Sequence, residues 1–290
     1  MRLRPEGVQV STPKPGAYSG MSYADYERID AINWSVLKHI LKSPAHMREE
    51  QTHPSASTVA LDFGQAFHCA ILEPELFAKS YAPAPDGVGR RSNKDKEKWA
   101  EVEKLNPGAK ILKADDWDTI TSMRDAVYAH PTASAFLKGK GKNEVVLVWQ
   151  DEEFGCMCKC RVDRLTEWEG WTFIVDAKSC RDASPVPFAR DCAQLGYHKQ
   201  KAFYLRGAAA LSPQSRRFAF IAVEKERPFG VAVYELDEEA EVAANSAVRS
   251  ALSKYVECVK NKSWPAYEPG LWPLRLPNWA NSSVSEIGEL

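Results

Sequence analysis

The sequence predicts an α/β fold of the α+β kind, in which a mixed central β-sheet is flanked by helices. Helical periodicity dominates up to about residue 140, and short runs rich in β-branched and aromatic residues recur between residues 145 and 235. Further helical segments separate and follow those runs. Since this order is not a regular alternation of strand and helix, we expect parallel and antiparallel neighbours in one sheet.

Helices joined by a basic loop are predicted for the N-terminal part of the chain. Potential N-caps stand before apolar residues that recur at helical spacing, and Pro and Gly mark the loop. The expected elements are a helix that opens at Asn33 or Ser35, a helix from about Ser57 to Leu72, a loop over 82–98 and polar helices up to about Leu137.

Three adjacent strands open the sheet region, 144–236, and two more follow after a long helix. Turn-like segments containing Gly and charged residues separate the first three strands. The predicted order is strands at Val145–Gln150, Cys156–Leu165 and Thr172–Ala177, one helix at Val186–Leu211, strands at Arg217–Val223 and Gly230–Glu235, and a last helix over 238–262.

Size and composition fit one large globular domain. The chain has 290 residues, of which 44% are hydrophobic and 27% charged. We expect an irregular leader at 1–21, a single domain at 22–262 and a C-terminal tail at 263–290. Lys and Arg total 38 against 39 Asp and Glu, which gives a formal net charge of −1. A nucleic-acid partner would therefore have to meet local positive charge.

The cysteines and the apolar runs indicate a cytoplasmic protein without a membrane partner. No secretory leader is recognisable, and no apolar run reaches 18 residues. The seven cysteines are an odd, scattered set, so reduced thiols are expected. Cys156, Cys158 and Cys160 alternate along a predicted strand but lack C-x-x-C spacing, so we expect no iron–sulfur cluster.

The sharpest local pattern joins Asp163 to the segment that contains Asp176 and Lys178. Residues 176 and 178 share one face of a strand, and Asp163 lies near the end of the neighbouring strand, so the three can converge. Two close carboxylates repel each other unless a cation lies between them, and Mg²⁺ binds through one or two carboxylates. An ammonium beside the metal can orient or deprotonate water and offset charge in the transition state.

The same residues also allow a structural interpretation. Asp163 can pair with Arg161 or Arg164, while Asp176 and Lys178 form an ordinary exposed pair on a strand. A D-x-K tripeptide alone is a weak signal, so the surrounding segments have to decide between the two interpretations.

Four ordered segments resemble the RecE-type exonuclease family. This exonuclease VIII branch of the PD-(D/E)xK nucleases is related to the RecB nuclease domain and to lambda exonuclease. The resemblance spans about 22–240 and implies a restriction-endonuclease-like core. Val162 replaces the proline of the family pattern, and its second acid is Asp176 rather than Glu. The matching segments are DFGQAFHCAILEP (62–74), CKCRVDRL (158–165), FIVDAKS (173–179) and YHKQKAFYLRGA (197–208).

The resemblance implies a metal-binding set and a catalytic set. His68, Asp163, Asp176 and the backbone carbonyl of Ala177 are implied ligands of Mg²⁺, for which Mn²⁺ can substitute, and Lys178 is the implied catalytic lysine. A histidine on an otherwise apolar helix can equally be a satisfied core residue.

Further candidate site residues lie outside that set. Gln200 and Tyr204 are four apart on a helix and match a Q-x-x-x-Y signature that positions the lysine, the water or the DNA phosphate; they can also be a packing stripe. Glu144 is a candidate metal ligand through water, or a strand-end charge facing solvent. The candidate DNA-binding residues are Arg90, Arg91, Lys140, Lys142 and Tyr197.

The expected function is that of a Mg²⁺-dependent exonuclease acting on double-stranded DNA with free ends. The resemblance implies 5′ to 3′ degradation of one strand, which leaves 3′ overhangs for recombination. It also implies a homo-oligomeric ring, a trimer or tetramer, a single-strand annealing protein as partner, and a bacterial or phage source. An endonuclease of the same fold and a catalytically silent DNA-binding scaffold are the alternatives.

Overall fold

The computed structural model describes residues 13–56, 58–85, 87 and 93–277, apart from the side chain of residue 94. Arg90 and Arg91, two of the candidate DNA-binding residues, lie outside the described residues. The strands are β1 (Gly16–Tyr18), β2 (Tyr81–Pro83), β3 (Lys110–Leu112), β4 (Gly141–Gln150), β5 (Met157–Trp168), β6 (Trp171–Cys180), β7 (Arg216–Glu224) and β8 (Val231–Tyr234).

The helices flank these strands in the predicted order. They are α1 (Tyr23–Arg28), α2 (Trp34–Leu37, continued by a 3₁₀ turn at Lys38–Leu41), α3 (Pro44–Thr52), α4 (Val59–Leu72), α5 (Pro74–Ser80), α6 (Asn93–Leu105), α7 (Ala114–Ala129), α8 (Pro131–Lys138), α9 (Pro185–Leu195), α10 (Tyr197–Leu211) and α11 (Glu238–Asn261). Among the described helices, none is long and apolar enough to cross a membrane.

Six strands form one mixed sheet in the order β1-β4-β5-β6-β7-β8. Within this sheet β6 and β7 run parallel and the other neighbours are antiparallel, while β2 and β3 form a separate parallel pair. The parallel step follows from the long connection through α9 and α10, because two parallel strands need a crossover of a dozen or more residues. The predicted mixed sheet flanked by helices is confirmed.

Helices cover both faces of the sheet. A large core cluster joins one face to α2, α3, α9, α10 and α11. A second cluster joins the other face to α4, α5, α7 and α8. The two layers therefore hold α10 and α4 on opposite faces of the same strands.

Three expectations about element boundaries are wrong. The loop expected over 82–98 ends earlier, because α6 begins at Asn93. The helix expected over Val186–Leu211 is two helices, because Gly196 adopts a left-handed conformation with φ 74° that ends α9 and begins α10. The leader expected to be irregular contains β1, which pairs with β4 through Gly16–Tyr18 opposite Val146–Val148. This segment is a regular strand because its backbone forms ladder hydrogen bonds with β4 and the ring of Tyr18 packs in a small core.

A buried lysine fixes α1 against the sheet. The Nζ atom of Lys159, on β5, donates to the carbonyl oxygens of Tyr26 at 2.8 Å and Ile29 at 2.9 Å, at the C-terminal end of α1. Carbonyl groups at a helix C-terminus carry partial negative charge and lack helical partners, so an ammonium there satisfies them. The contact holds the N-terminal part of the chain over β5.

Two helical glycines allow a matched test of the packing of α10. A Cβ atom at Gly207 would lie 2.6 Å from the ring of Trp149, whereas one at Gly64, in α4, would meet nothing within 4 Å. We predict that Gly207→Ala lowers the free energy of unfolding by about 1–3 kcal/mol. Gly64→Ala should raise it by about 0.5–1 kcal/mol, because only the gain in helix propensity remains. Urea unfolding measures both; equal effects would contradict the close approach of α10 to β4.

Candidate active site

The strands β5 and β6 separate at two aspartates. Their ladder pairs Arg164 with Val175 and continues from there to the hairpin, and Asp163 and Asp176 are the first residues beyond it. Past that point the backbone N–H of Ala177 donates to Oδ2 of Asp163 at 2.9 Å. A carboxylate thus takes the place of a strand carbonyl, and it lies in the opening between the two strands.

Side-chain alternation along β5 changes at the same residue. Val162 belongs to the core cluster beneath α10, while Arg164 donates to the carbonyl of Phe136 on the opposite face. Residues two apart on a regular strand would share a face. On β4, in register with Asp163, Glu144 has φ 53°, an unusual backbone conformation for a non-glycine residue. Local irregularities of this kind re-aim a side chain.

His68 of α4 contacts Asp163 from one face of the sheet. Its Nδ1 atom lies 3.3 Å from Oδ2 of Asp163, and the two side chains are 28% and 12% exposed. Burial would lower the pKa of His68, but the carboxylate of Asp163 outweighs burial and raises it to about 9. Burial would raise the pKa of Asp163, and the charge of His68 together with the N–H of Ala177 lowers it instead.

Asp176 and Lys178 form a nearly buried ion pair that faces α10. Lys178 Nζ lies 2.5 Å from Asp176 Oδ2, and the side chains are 14% and 3% exposed. Burial raises the pKa of Asp176 although Lys178 opposes the shift, and the charge of Asp176 raises the pKa of Lys178 although burial opposes it. Asp176 Oδ2 is buried and accepts no well-oriented hydrogen bond from the described residues.

Gln200 of α10 bridges this ion pair. Its Oε1 accepts from Lys178 Nζ at 3.2 Å, and its Nε2 donates to Asp176 Oδ1 at 3.0 Å. Since an ammonium only donates and a carboxylate only accepts, the amide orientation is determined by these two partners. Tyr197 places its ring centroid 4.6 Å from Lys178 Nζ. Tyr204, one turn after Gln200, packs beside Phe218 with ring centroids 6.5 Å apart.

The arginines near Asp163 do not pair with it. Arg161 Nε lies 2.5 Å from Oε2 of Glu144, and Arg164 donates to Asn143. The structural interpretation of Asp163 as a partner of either arginine is therefore wrong. Burial, reinforced by Asp163, raises the pKa of Glu144 to about 7 even with Arg161 beside it. For Arg161 the sequence offers one signal, its position two residues before Asp163 on a predicted strand, which indicates no more than a possible ion pair.

A family model described as "PDDEXK-like domain of unknown function (DUF3799)" matches residues 33–270. This chain belongs to that PDDEXK-like family. The match covers the helices and strands that carry His68, Asp163, Asp176, Lys178 and Gln200. No curated protein sequence matches the chain. The expected PD-(D/E)xK core is confirmed, and with it the coarse assignment to nucleases.

A solved structure shows the same fold. A crystal structure from Eubacterium rectale, of a protein described as a candidate exonuclease, matches this chain with a TM-score of 0.60 and 14% identity over 93% of this chain and 100% of that chain. At that identity the likeness shows the fold alone. The structure of SSO0001 matches with a TM-score of 0.30 and 15% identity over 68% of this chain and 87% of that chain, and carries no argument.

The side chains of this PDDEXK-like domain fit a divalent cation, although they do not form a ready-made shell. Among the described residues, no three His, Cys, Asp or Glu side chains are arranged as a metal-binding group. The reason is visible in the contacts, because Asp163 is turned toward His68 and Asp176 toward Lys178. Oδ2 of Asp176, a buried oxygen that has Lys178 Nζ at 2.5 Å without a well-oriented hydrogen bond, supplies a hard oxygen donor. The carbonyl of Ala177 lies on the same strand edge as its N–H, and so also faces the opening.

The candidate DNA-binding residues on β4 and before it lie on the hairpin side of this opening. Lys140 is 85% exposed and pairs with Glu167 at 3.3 Å, close to the β5–β6 hairpin. Lys142 is exposed at the start of β4, opposite Leu165. Tyr197 contacts Lys178, so the structure places it beside the ion pair of Asp176 and Lys178. DNA contacts by all three stay predictions.

Removal of Gln200 should reduce turnover more than substrate binding. In Gln200→Ala, Lys178 loses an acceptor and Asp176 a donor, so we predict a fall in kcat of roughly tenfold to a hundredfold with KM changed less than threefold. The matched control is Gln194→Ala, an exposed glutamine on α9. Steady-state nuclease kinetics measure both; a rise in KM at constant kcat would contradict a positioning role.

Proposed function

We propose that this protein is a metal-dependent exodeoxyribonuclease that degrades one strand of linear double-stranded DNA. The observation that carries the proposal is the convergence of Asp163, Asp176 and Lys178 on the opening between β5 and β6, with Gln200 joined to both members of the ion pair. A structural salt bridge would not require a second carboxylate across the opening. Phosphodiester hydrolysis uses such a set of groups.

Asp163, Asp176, His68 and the carbonyl of Ala177 would hold the cation, for which we propose Mg²⁺ with Mn²⁺ as a substitute. When bound, the cation supplies Lewis-acid activation of the scissile phosphate and of the attacking water. His68 has to lose its proton to act as a ligand, so cation binding and protonation of His68 compete.

Lys178 acts in this mechanism as a donor. Its pKa is raised by Asp176, so the ammonium stays charged and offers its protons to the attacking water and to the oxygens that gain charge in the transition state. Gln200 restrains the ammonium, and the ring of Tyr197 covers it on another side. Water adds to phosphorus while the bond to the leaving oxygen breaks, and the leaving oxygen ends protonated.

The finer parts of the proposed function rest on similarity to known proteins. The resemblance to RecE-type exonucleases supports 5′ to 3′ polarity and 3′ overhangs that serve recombination by strand annealing. The description of the Eubacterium rectale protein as a candidate exonuclease supports action from DNA ends. We also propose a ring of three or four chains and a single-strand annealing protein as partner. Light scattering tests the ring, and a monomer during processive degradation would contradict it.

A comparison of linear with covalently closed circular duplex DNA in Mg²⁺ tests exonuclease action. We predict that the wild type degrades only linear DNA. Cleavage of both forms would support an endonuclease instead, and cleavage of neither would support a silent DNA-binding scaffold.

The lysine should be essential for that cleavage. We predict that Lys178→Ala lowers the rate roughly a hundredfold to ten-thousandfold, because the donor to the transition state is lost. Lys254→Ala, an exposed lysine on α11, is the matched control and should cleave at the wild-type rate. Retention of cleavage by a folded Lys178→Ala protein would contradict the assignment of Asp176 and Lys178 to the active site.

Cation affinity provides a second test that needs no DNA. Titration calorimetry with Mn²⁺ should show one binding event or more in the wild type and at least tenfold weaker binding in Asp163→Asn and His68→Ala, because each loses a ligand. His53→Ala is the control, since His53 is an exposed histidine that pairs with Glu49 on α3. Unchanged Mn²⁺ affinity in both site variants would rule out these residues as ligands.

A further inference from the structure

Arg161 lies beside the proposed cation site on the same strand. It precedes Asp163 by two residues on β5, which places the two side chains about 6.6 Å apart along the strand. Its register partner on β4 is Val146, which packs in the small core under α1. Arg161 therefore emerges between α1 and the proposed cation site.

The guanidinium of Arg161 has unused hydrogen-bonding capacity. Its Nε is buried without a well-oriented hydrogen bond, although Glu144 Oε2 lies 2.5 Å away. The side chain keeps 20% of its surface exposed. Within the described residues, Glu144 is the one carboxylate paired with it. A planar guanidinium binds phosphate oxygens through two parallel hydrogen bonds, so a phosphate can replace this single contact.

An exposed aromatic ring borders the same guanidinium. The ring centroid of Tyr23, the first residue of α1, lies 5.5 Å from Arg161 Cζ, and the side chain is 50% exposed. The helix that presents it is fixed to β5 by Lys159, whose ammonium binds the carbonyls of Tyr26 and Ile29. Tyr23 therefore stands on a rigid support and offers a flat surface next to a cation.

We propose that Arg161 and Tyr23 form a nucleotide-binding subsite beside the scissile bond. Arg161 binds the DNA phosphate adjacent to the one that is cleaved, and Tyr23 stacks against the base of that nucleotide. Glu144 holds the guanidinium until DNA displaces it. The subsite rests on the proposed function, because that function places the scissile phosphate at Asp163 and Asp176.

The chemistry of this pair selects one kind of ligand. A guanidinium and an aromatic ring together match a phosphate and an unpaired base, the combination that single-stranded nucleic acid offers. A base inside a duplex cannot stack on a side chain. The subsite therefore takes the frayed or single-stranded end of the DNA, next to the position of cleavage.

DNA binding in EDTA tests Arg161 without cleavage. Fluorescence anisotropy with an end-labelled duplex bearing a short single-stranded extension gives Kd at several NaCl concentrations. Removal of the Arg161 guanidinium alone would leave Glu144 unpaired. The comparison therefore uses Glu144→Gln against the double variant Glu144→Gln/Arg161→Gln. We predict that the double variant binds roughly tenfold more weakly, with a slope of log Kd against log salt smaller by about one.

Arg217 provides a matched control for Arg161. It also pairs with a glutamate, Glu235, and its guanidinium lies 4.9 Å from the ring centroid of Phe173, but it stands near the beginning of β7, away from the opening. Glu235→Gln/Arg217→Gln should bind like Glu235→Gln alone. If Arg161 is only the counterion of Glu144, Glu144→Gln and Glu144→Gln/Arg161→Gln will bind DNA with the same affinity and salt slope. This result would overturn the proposal.

Substitutions of Tyr23 test base stacking separately from the phosphate contact of Arg161. Tyr23→Ala should weaken binding of the extended duplex roughly tenfold with an unchanged salt slope, because stacking is lost and no charge is removed. Tyr23→Phe should bind like the wild type. Equal affinity of Tyr23→Ala and wild type for the extended duplex overturns the stacking role.

Cleavage separates failure of this subsite from failure of the proposed function. If the wild type degrades linear DNA while the Arg161 variants keep the control affinity and slope, only the subsite is wrong. If the wild type cleaves no DNA while affinity and slope respond to Arg161 as predicted, the proposed function is wrong, and Arg161 contacts a DNA phosphate without a neighbouring scissile bond. Absence of DNA binding by folded wild-type protein overturns both.

Discussion

The structure of the site depends on the pairing of each buried carboxylate with its own cation. Asp163 and Asp176 stand across one opening of the sheet, and their mutual repulsion would be severe in a poorly solvated position. His68 offsets the first charge and Lys178 the second, from opposite faces. Each carboxylate is thus compensated by a cation of the protein itself, and the two carboxylates lie where a divalent cation could replace part of this compensation.

One helix from each helical layer holds one of these two cations in position. His68 is held by α4, which is anchored in the core cluster of one face, and Gln200 restrains Lys178 from α10 in the cluster of the other face. Both helices reach the opening through the packing of the fold and not because they lie next to Asp163 or Asp176 along the chain. The sheet supplies the rest, because β6 carries Asp176 and Lys178 on one face and the N–H of Ala177 reaches Asp163.

Local patterns predicted the parts of this fold that repeat, and failed where a single residue changes the geometry. Alternation placed Asp176 and Lys178 on one face, while helical spacing placed Gln200 and Tyr204 on one helix face and only the resemblance implied that they lie near the lysine. The left-handed Gly196 between α9 and α10 leaves no periodic trace, because the apolar stripe continues across it. The changed alternation at Asp163 and the positive φ of Glu144 depend on how β4, β5 and β6 pair with one another, so the pattern of one strand alone does not encode them.

The central claim, that Asp163 and Asp176 jointly hold a divalent cation, is tested most directly by anomalous scattering. Crystals grown with Mn²⁺ and a nucleoside monophosphate should show a manganese peak about 2.0–2.2 Å from an oxygen of each aspartate, with Lys178 Nζ moved away from Asp176 Oδ2. A peak at another location, or an intact contact between Lys178 and Asp176 with no manganese in the opening at millimolar concentration, would contradict the account.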